Sequence, residues 1–409
     1  MSRPSPSSQP PPDLPVTRGI HLFWLALFRG SRSVAAGLIT IAFPYLVLQQ
    51  AGYSAWQLGL LYTAAAIATA ALGLLVGFLA DLWGQKRTLL LVGAMLPISA
   101  AIAWSQHTLP WLFVAATVGG YSATGSLMGG GVGGAAQPIQ STVVASLATA
   151  ERRTFFFSVF AFLGGVLAAG GALLARTMSV HAAFGAAALI SAAGILCLWP
   201  LRVHETRGHL GRLPSLRVIG KFSVTGALNG FSQGLLMPFL IPFFVLVYHL
   251  PEARMATYAF IGGLLASVAL FAAPVLERRW GFVRSIAVTR GLGAALVLVL
   301  PLWHSLAIAL AIYVLTPALR VAALPAQQTA LTELVSHEER GRALGLNQVT
   351  RLTASAGAVS FTGYAFSLGD FPIPFVLYAV LMTVNIGLYF RFFGADGLNG
   401  RGRAAPDGA

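Results

Sequence analysis

Long apolar runs separated by short polar stretches recur along the chain from about residue 20 to residue 393. An α-helix needs roughly 20 mostly apolar residues to cross the hydrocarbon core of a bilayer. Twelve runs approach or exceed that length, at 20–48, 55–80, 88–105, 110–148, 155–175, 183–200, 218–247, 256–276, 285–303, 305–334, 343–367 and 373–393. The pattern predicts an all-α membrane protein with twelve transmembrane helices. The longest polar connection, about Arg202–Lys221, divides the spans evenly. Two pseudo-symmetric six-helix bundles are therefore expected, at 19–201 and 218–393, joined by a cytoplasmic linker at 202–217.

Basic residues orient the spans. Lys86, Arg87, Arg152, Arg153, Arg212, Arg278, Arg279, Arg340, Arg342 and Arg391 all fall on the face that holds the N-terminus, whereas the other face holds only Arg176 and Arg254. Cytoplasmic loops carry such an excess, so both termini are expected in the cytoplasm, in a bacterial-type inner membrane. Residues 1–18 are rich in Pro and Ser and lack an apolar core, so they read as a disordered tail and not as a cleaved signal peptide; 394–409 reads as a second tail.

Composition agrees: 56% of residues are hydrophobic and 9% charged, more apolar surface than a soluble domain of this length buries. The formal net charge of +14 would suggest nucleic acid in a soluble protein. Here the charge falls mostly in short loops on one side of the membrane, so no nucleic-acid partner is expected. The single cysteine, Cys197, excludes an intramolecular disulfide. No enzyme constellation, metal-ligand spacing or cofactor motif stands out; the glycine-rich stretch Gly119–Gly134 lies in an apolar run with no Lys-Ser/Thr after it, unlike a phosphate loop. That stretch is compatible with a broken helix, an extracellular loop or a small-residue contact face.

The halves echo each other. Ala80-Asp81-Leu82-Trp83-Gly84 answers to Glu277-Arg278-Arg279-Trp280-Gly281, and Pro138-Ile139-Gln140-Ser141-Thr142 to Pro325-Ala326-Gln327-Gln328-Thr329. The first island, from Gly77 to Arg87, resembles the signature of the major facilitator superfamily, G-x-L-a-D-r-x-G-r-k-x. Gly77, Leu79, Ala80, Asp81, Gly84 and Lys86 match it, while Leu82 stands where a basic residue is usual. The resemblance covers about 20–393 and implies a monomeric secondary transporter that needs only a small-molecule substrate and a lipid bilayer. Its two bundles would rock around a mid-membrane site. It also implies that Asp81, with Gly77 and Gly84, latches the cytoplasmic side against the start of the eleventh helix, where the helix dipole favours a carboxylate.

Charged side chains inside spans are costly, ~2.5 kcal/mol or more at mid-bilayer, and so mark candidate sites. Arg29 and Arg32 lie on one face of the first span, Arg320 near the middle of the tenth, and no carboxylate is expected at their depth. In the superfamily the first, fourth, seventh and tenth helices line a central cavity. Polar residues concentrate on those spans: Arg29, Arg32, Gln137, Gln140, Asn229, Ser232, Gln233, Arg320, Gln327 and Gln328. Two roles compete for the arginines: contact with an anionic solute, or donation to backbone carbonyls. Arg290 is expected to snorkel, and Arg351 to pair with Glu333 as a cytoplasmic gate. The third, sixth and twelfth spans, nearly bare of charge, are expected to face lipid. A small organic solute, leaning anionic, is the expected cargo; efflux of hydrophobic compounds and a non-transporting sensor or assembly protein are the alternatives.

Overall fold

The computed structural model describes residues 15–121, 136–147, 153–201, 216–302, 305–322 and 340–393. Among these residues it is helical throughout, with no strand. The first half contributes α1 (Pro15–Tyr45), α2 (Ala55–Trp83), α3 (Gln85–Ser105), α4 (Leu109–Gly119), α5 (Gln137–Leu147), α6 (Arg153–Leu174) and α7 (Val180–Leu196). The second contributes α8 (Leu216–Leu236), α9 (Leu240–Val247), α10 (Glu252–Ala269), α11 (Ala272–Trp280), α12 (Phe282–Val299), α13 (Leu306–Ala322), α14 (Arg340–Ser367) and α15 (Pro372–Phe393). Among the described residues six spans are long and apolar enough to cross a membrane, and α4, α7 and α13 are shorter apolar helices. Their outward faces carry side chains such as Ile98, Leu189, Leu196 and Val380 in the open, a surface suited to lipid.

Three predicted spans are not single helices. The fourth stops at Gly120, whose φ of +60° is left-handed, and helix resumes at Gln137; the intervening glycine-rich residues lie outside those described. The seventh bends at a short 3-10 turn, Met237–Phe239, because Pro238 has no N–H for the helical ladder. The eighth divides into α10 and α11, with Pro274 in the first turn of the new helix, where a missing N–H costs nothing.

The internal repeat has a structural counterpart. Gly84 (φ +88°) is the single residue between α2 and α3, and Gly281 (φ +76°) the single residue between α11 and α12. Each follows a tryptophan and takes a backbone conformation that L-residues avoid, which allows two helices to join with no loop between them. The signature's Lys86 then donates to the carbonyl of Trp199 beyond α7 at 2.8 Å, tying this turn to its own half.

Packing is mostly within halves: α1 lies against α6 and α7, and α8 against α14 and α15. Small residues allow the closest approaches. A Cβ on Gly37 would fall 2.0 Å from the Ala168 carbonyl oxygen, and one on Gly171 would fall 2.1 Å from that of Val34. Gly226, Gly230 and Gly234, one turn apart on α8, meet Asn347, Arg351 and Ser355, one turn apart on α14.

Between halves, α2 crosses α14 and α6 crosses α10. At the end where α2 begins and α14 finishes, the Tyr45 hydroxyl donates to the Leu250 carbonyl at 2.7 Å. Thr63 and Ser360 share a hydroxyl contact of 2.7 Å. An aromatic chain runs from Phe43 to Tyr62 (5.8 Å), Phe239 (6.1 Å) and Phe366 (5.1 Å), so rings of both halves form one seal. Further along α2, a Cβ on Gly73 or Gly77 would meet no described atom within 4 Å. Among the described residues, α2 is thus jammed against the other half at its start and open toward its end.

Candidate functional site

Each half holds arginines inside its helical bundle, buried or half-buried. In the first, Arg29 on α1 reaches across to two helices: Nε donates to the Phe160 carbonyl of α6 at 2.7 Å, and Nη1 to Oε1 of Gln140 on α5 at 3.1 Å. Gly164 makes this possible, since a Cβ there would lie 2.9 Å from the guanidinium. Its neighbour Gly165 leaves room for Ser267 of α10. The paired glycines of this span therefore seat an arginine on one side and an opposing helix on the other.

Arg32, three residues on, does not join Arg29. It is 6% exposed, lies 5.4 Å from the Phe28 ring, and donates to the Gly93 carbonyl of α3 at 2.9 Å. Arg29 and Gln140 are thus brought together as the sequence pattern suggested, and Arg32 points elsewhere. Gln137 opens α5, and Asp81 lies in the last turn of α2; their side chains, like Gln327 and Glu333, lie outside the described structure.

In the second half, Arg320 Nη1 donates to Gln233 Oε1 at 3.2 Å, and Gln233 Nε2 donates to Asn229 Oδ1 at 3.2 Å. These three predicted residues do meet. They line a small cavity of about 20 Å³ between α8, α12, α13 and α15, together with Arg290, Tyr378 and Met382.

Arg290 does not snorkel. It is 7% exposed, its Nη1 donates to Oδ1 of Asn385, and its guanidinium lies 5.0 Å from the Tyr389 ring. Asn385 passes the link on to the Thr225 carbonyl of α8 at 2.8 Å. The twelfth span therefore has two sides: a lipid-facing one, and a buried one bearing Tyr378, Asn385 and Tyr389. A lone Asn in an otherwise apolar span was the available signal. Arg351 donates to Gln348, one turn earlier on α14, at 2.8 Å.

The hydrogen bonds described for Arg29, Arg32, Arg290, Arg320 and Arg351 run to carbonyl and amide oxygens, and α2–α14 contacts close one end.

A multi-pass helical membrane protein with paired halves, sealed at one end, has the architecture of a solute transporter. The Major Facilitator Superfamily model matches residues 25–322, and the chain belongs to that family. No curated protein matches the sequence closely enough to count as a relative. Solved structures share the fold at low identity. A mutant of the nucleoside transporter NupG superposes with a TM-score of 0.74 at 13% identity, over 91% of this chain and 100% of that one. A bacterial homolog of the human lysosomal transporter Spinster, described as inward-facing and unoccupied, gives 0.69 at 17%, over 95% and 99%. The human organic anion transporter MFSD10 (TETRAN) gives 0.66 at 15%, over 93% and 100%.

Proposed function

We propose that the protein is a secondary transporter moving a small organic solute, with a preference for anions, by alternating access across a cytoplasmic membrane with both termini inside. The observation that carries this reading is the closure at one end: Gly59, Thr63 and the Tyr62–Phe239 contact join the halves there, while among the described residues a Cβ on Gly73 or Gly77 would meet nothing within 4 Å. With the termini inside, the sealed end is the outer one and this conformation is inward-open. The Asp81 turn would latch the opposite end in the other state, with Gly77 and Gly84 shaping the contact and Glu333 and Arg351 gating beside it. The two six-helix bundles at 19–201 and 218–393 would be the moving parts, and the monomer the working unit.

The preference for anions rests on the arginines. Arg29 and Arg320 are each held by a glutamine oxygen, Gln140 and Gln233, which can give way to the oxygen of a carboxylate or phosphate. The fold neighbours include transporters of nucleosides, D-xylose and organic anions, so fold alone does not choose among cargoes. Efflux of hydrophobic compounds is the second reading, favoured by the aromatic lining of the seal around Phe239, Phe243 and Phe366.

A thermal-stability panel of organic anions, lipophilic cations and neutral solutes at matched ionic strength tests this, followed by uptake of the hits into proteoliposomes. A ligand at 100 times its dissociation constant adds ~2.7 kcal/mol of stability. Stabilisation and flux of anions that weaken in Arg29→Gln support the proposal. Response to lipophilic cations alone would replace it with the efflux reading, and no flux with any hit would leave a sensor.

A further inference from the structure

Glu252 opens α10 at the sealed end, two residues after Leu250, whose carbonyl receives the Tyr45 hydroxyl of the other half. The turn that presents both is tight: His249 holds a φ of +48°, a conformation uncommon for residues other than glycine. Glu252 is close enough for its charge to act on the Tyr45 hydroxyl, so it stands at the junction of the halves.

Its surroundings suit a neutral carboxyl better than a carboxylate. The side chain is half-buried, and its Oε1 is buried with no hydrogen-bond partner. The Tyr45 hydroxyl has committed its proton to Leu250 and can offer Glu252 only lone pairs. Tyr313 of α13 also acts on Tyr45. Arg176, just beyond α6, donates to the Thr257 hydroxyl further along α10 at 3.5 Å, while Tyr248, His249 and Arg254 flank Glu252 in sequence. A helix N-terminus favours negative charge. Burial nevertheless wins here: it pushes the Glu252 carboxyl up to about 7 from the ordinary 4.5, and no neighbouring charge offsets it.

We propose that Glu252 is a pH-sensitive latch of the sealed end: its neutral carboxyl keeps the halves together there, and its ionisation loosens the Tyr45–Leu250 junction. The latch rests on the alternating-access reading above and is independent of the cargo. When the halves part at this end, water reaches Glu252 and its carboxyl returns to the ordinary range. Below about pH 4.5 both states hold the proton and the seal is at full strength. Between about 4.5 and 7 the open state ionises and the sealed one does not, so each pH unit shifts the ratio toward opening by up to about tenfold. Above about 7 both are ionised and the effect levels off.

Full-length protein in detergent, with Cys197→Ser, carries spin labels at Gln106→Cys after α3 and Leu368→Cys after α14, exposed positions on opposite halves at this end. Distances are read by double electron–electron resonance from pH 5 to pH 8. The short-distance population should dominate at pH 5 and fall as the pH rises. Glu252→Gln, an isosteric neutral side chain, should hold it at every pH, and His249→Asn, which tolerates the left-handed turn, should keep the response. A response that persists in Glu252→Gln, or one that His249→Asn alone abolishes, would overturn the assignment. So would a pH-independent parent whose Gly363→Ala variant, with its Cβ 2.8 Å from the Gly59 Cα, does open. If Gly363→Ala fails to open as well, the alternating-access reading falls with the latch.

Discussion

Gly59 of α2 and Gly363 of α14 touch backbone to backbone across the two halves. A Cβ on Gly59 would lie 2.9 Å from the Gly363 Cα, and one on Gly363 would lie 2.8 Å from the Gly59 Cα and 2.9 Å from the Ala55 carbonyl oxygen. The obstacle is main chain, so no side chain can swing aside. Gly363→Ala should cost the sealed state ~1–3 kcal/mol through overpacking. The open state escapes the penalty, so the equilibrium should move toward opening by about 5- to 150-fold. Thr63→Cys in a Cys197→Ser background reports this through its labelling rate with an impermeant maleimide, compared with and without Gly363→Ala. Equal rates would mean that the glycine contact does not limit the seal.

Along α8 the same physics acts within one half. Gly230→Ala would place Cβ 2.1 Å from the Arg351 carbonyl, whereas Gly357→Ala on α14 meets nothing within 4 Å. The first should lower stability by ~1–3 kcal/mol. The second should be neutral or raise it by up to ~1 kcal/mol, since Ala favours helix over Gly. Similar melting temperatures for the two variants would contradict the close α8–α14 packing.

How much of this was legible in the residues is clear from particular cases. The tryptophan–glycine echo at Gly84 and Gly281 marked two equivalent turns, because only glycine takes that backbone conformation without strain. Arg29 with Gln140, and Arg320 with Gln233 and Asn229, were legible as polar residues on apolar spans. Facing was not. Arg29 and Arg32 share a helix face in the one-dimensional pattern, yet their long side chains reach opposite neighbours, α5–α6 and α3. Arg290 lay near a span end, and its burial depends on Asn385, a residue in a span judged lipid-facing. Span breaks at Pro238 and before Pro274 were hidden because apolar runs continue through them.

Arg32 illustrates how the geometry changes an experiment. Charge reversal there looks like a test of anion binding, but the guanidinium is buried against the Gly93 carbonyl. A carboxylate facing that oxygen should cost ~3–5 kcal/mol, and the variant should fail to accumulate whatever the cargo. Arg29→Gln is the sharper probe. It keeps a donor for Phe160 and should lower stability by no more than ~1.5–3 kcal/mol. If Arg29 touches an anionic solute, the variant should raise KM for that solute at least tenfold and leave neutral solutes unaffected. An unchanged KM would assign Arg29 to helix packing alone.

The link from Arg290 through Asn385 to Thr225 joins α12, α15 and α8 with a single amide, so its two ends should be energetically coupled. Asn385→Leu removes the acceptor of a charged donor and the donor of a backbone carbonyl together, and should cost ~1–3 kcal/mol. Replacing both partners, Arg290→Met with Asn385→Leu, removes the buried charge along with its partner and should restore much of that loss. The coupling from a double-mutant cycle is expected at ~0.5–3 kcal/mol, read from melting temperatures in detergent. Additive losses would show that Asn385 serves Thr225 alone and that Arg290 is held by other contacts.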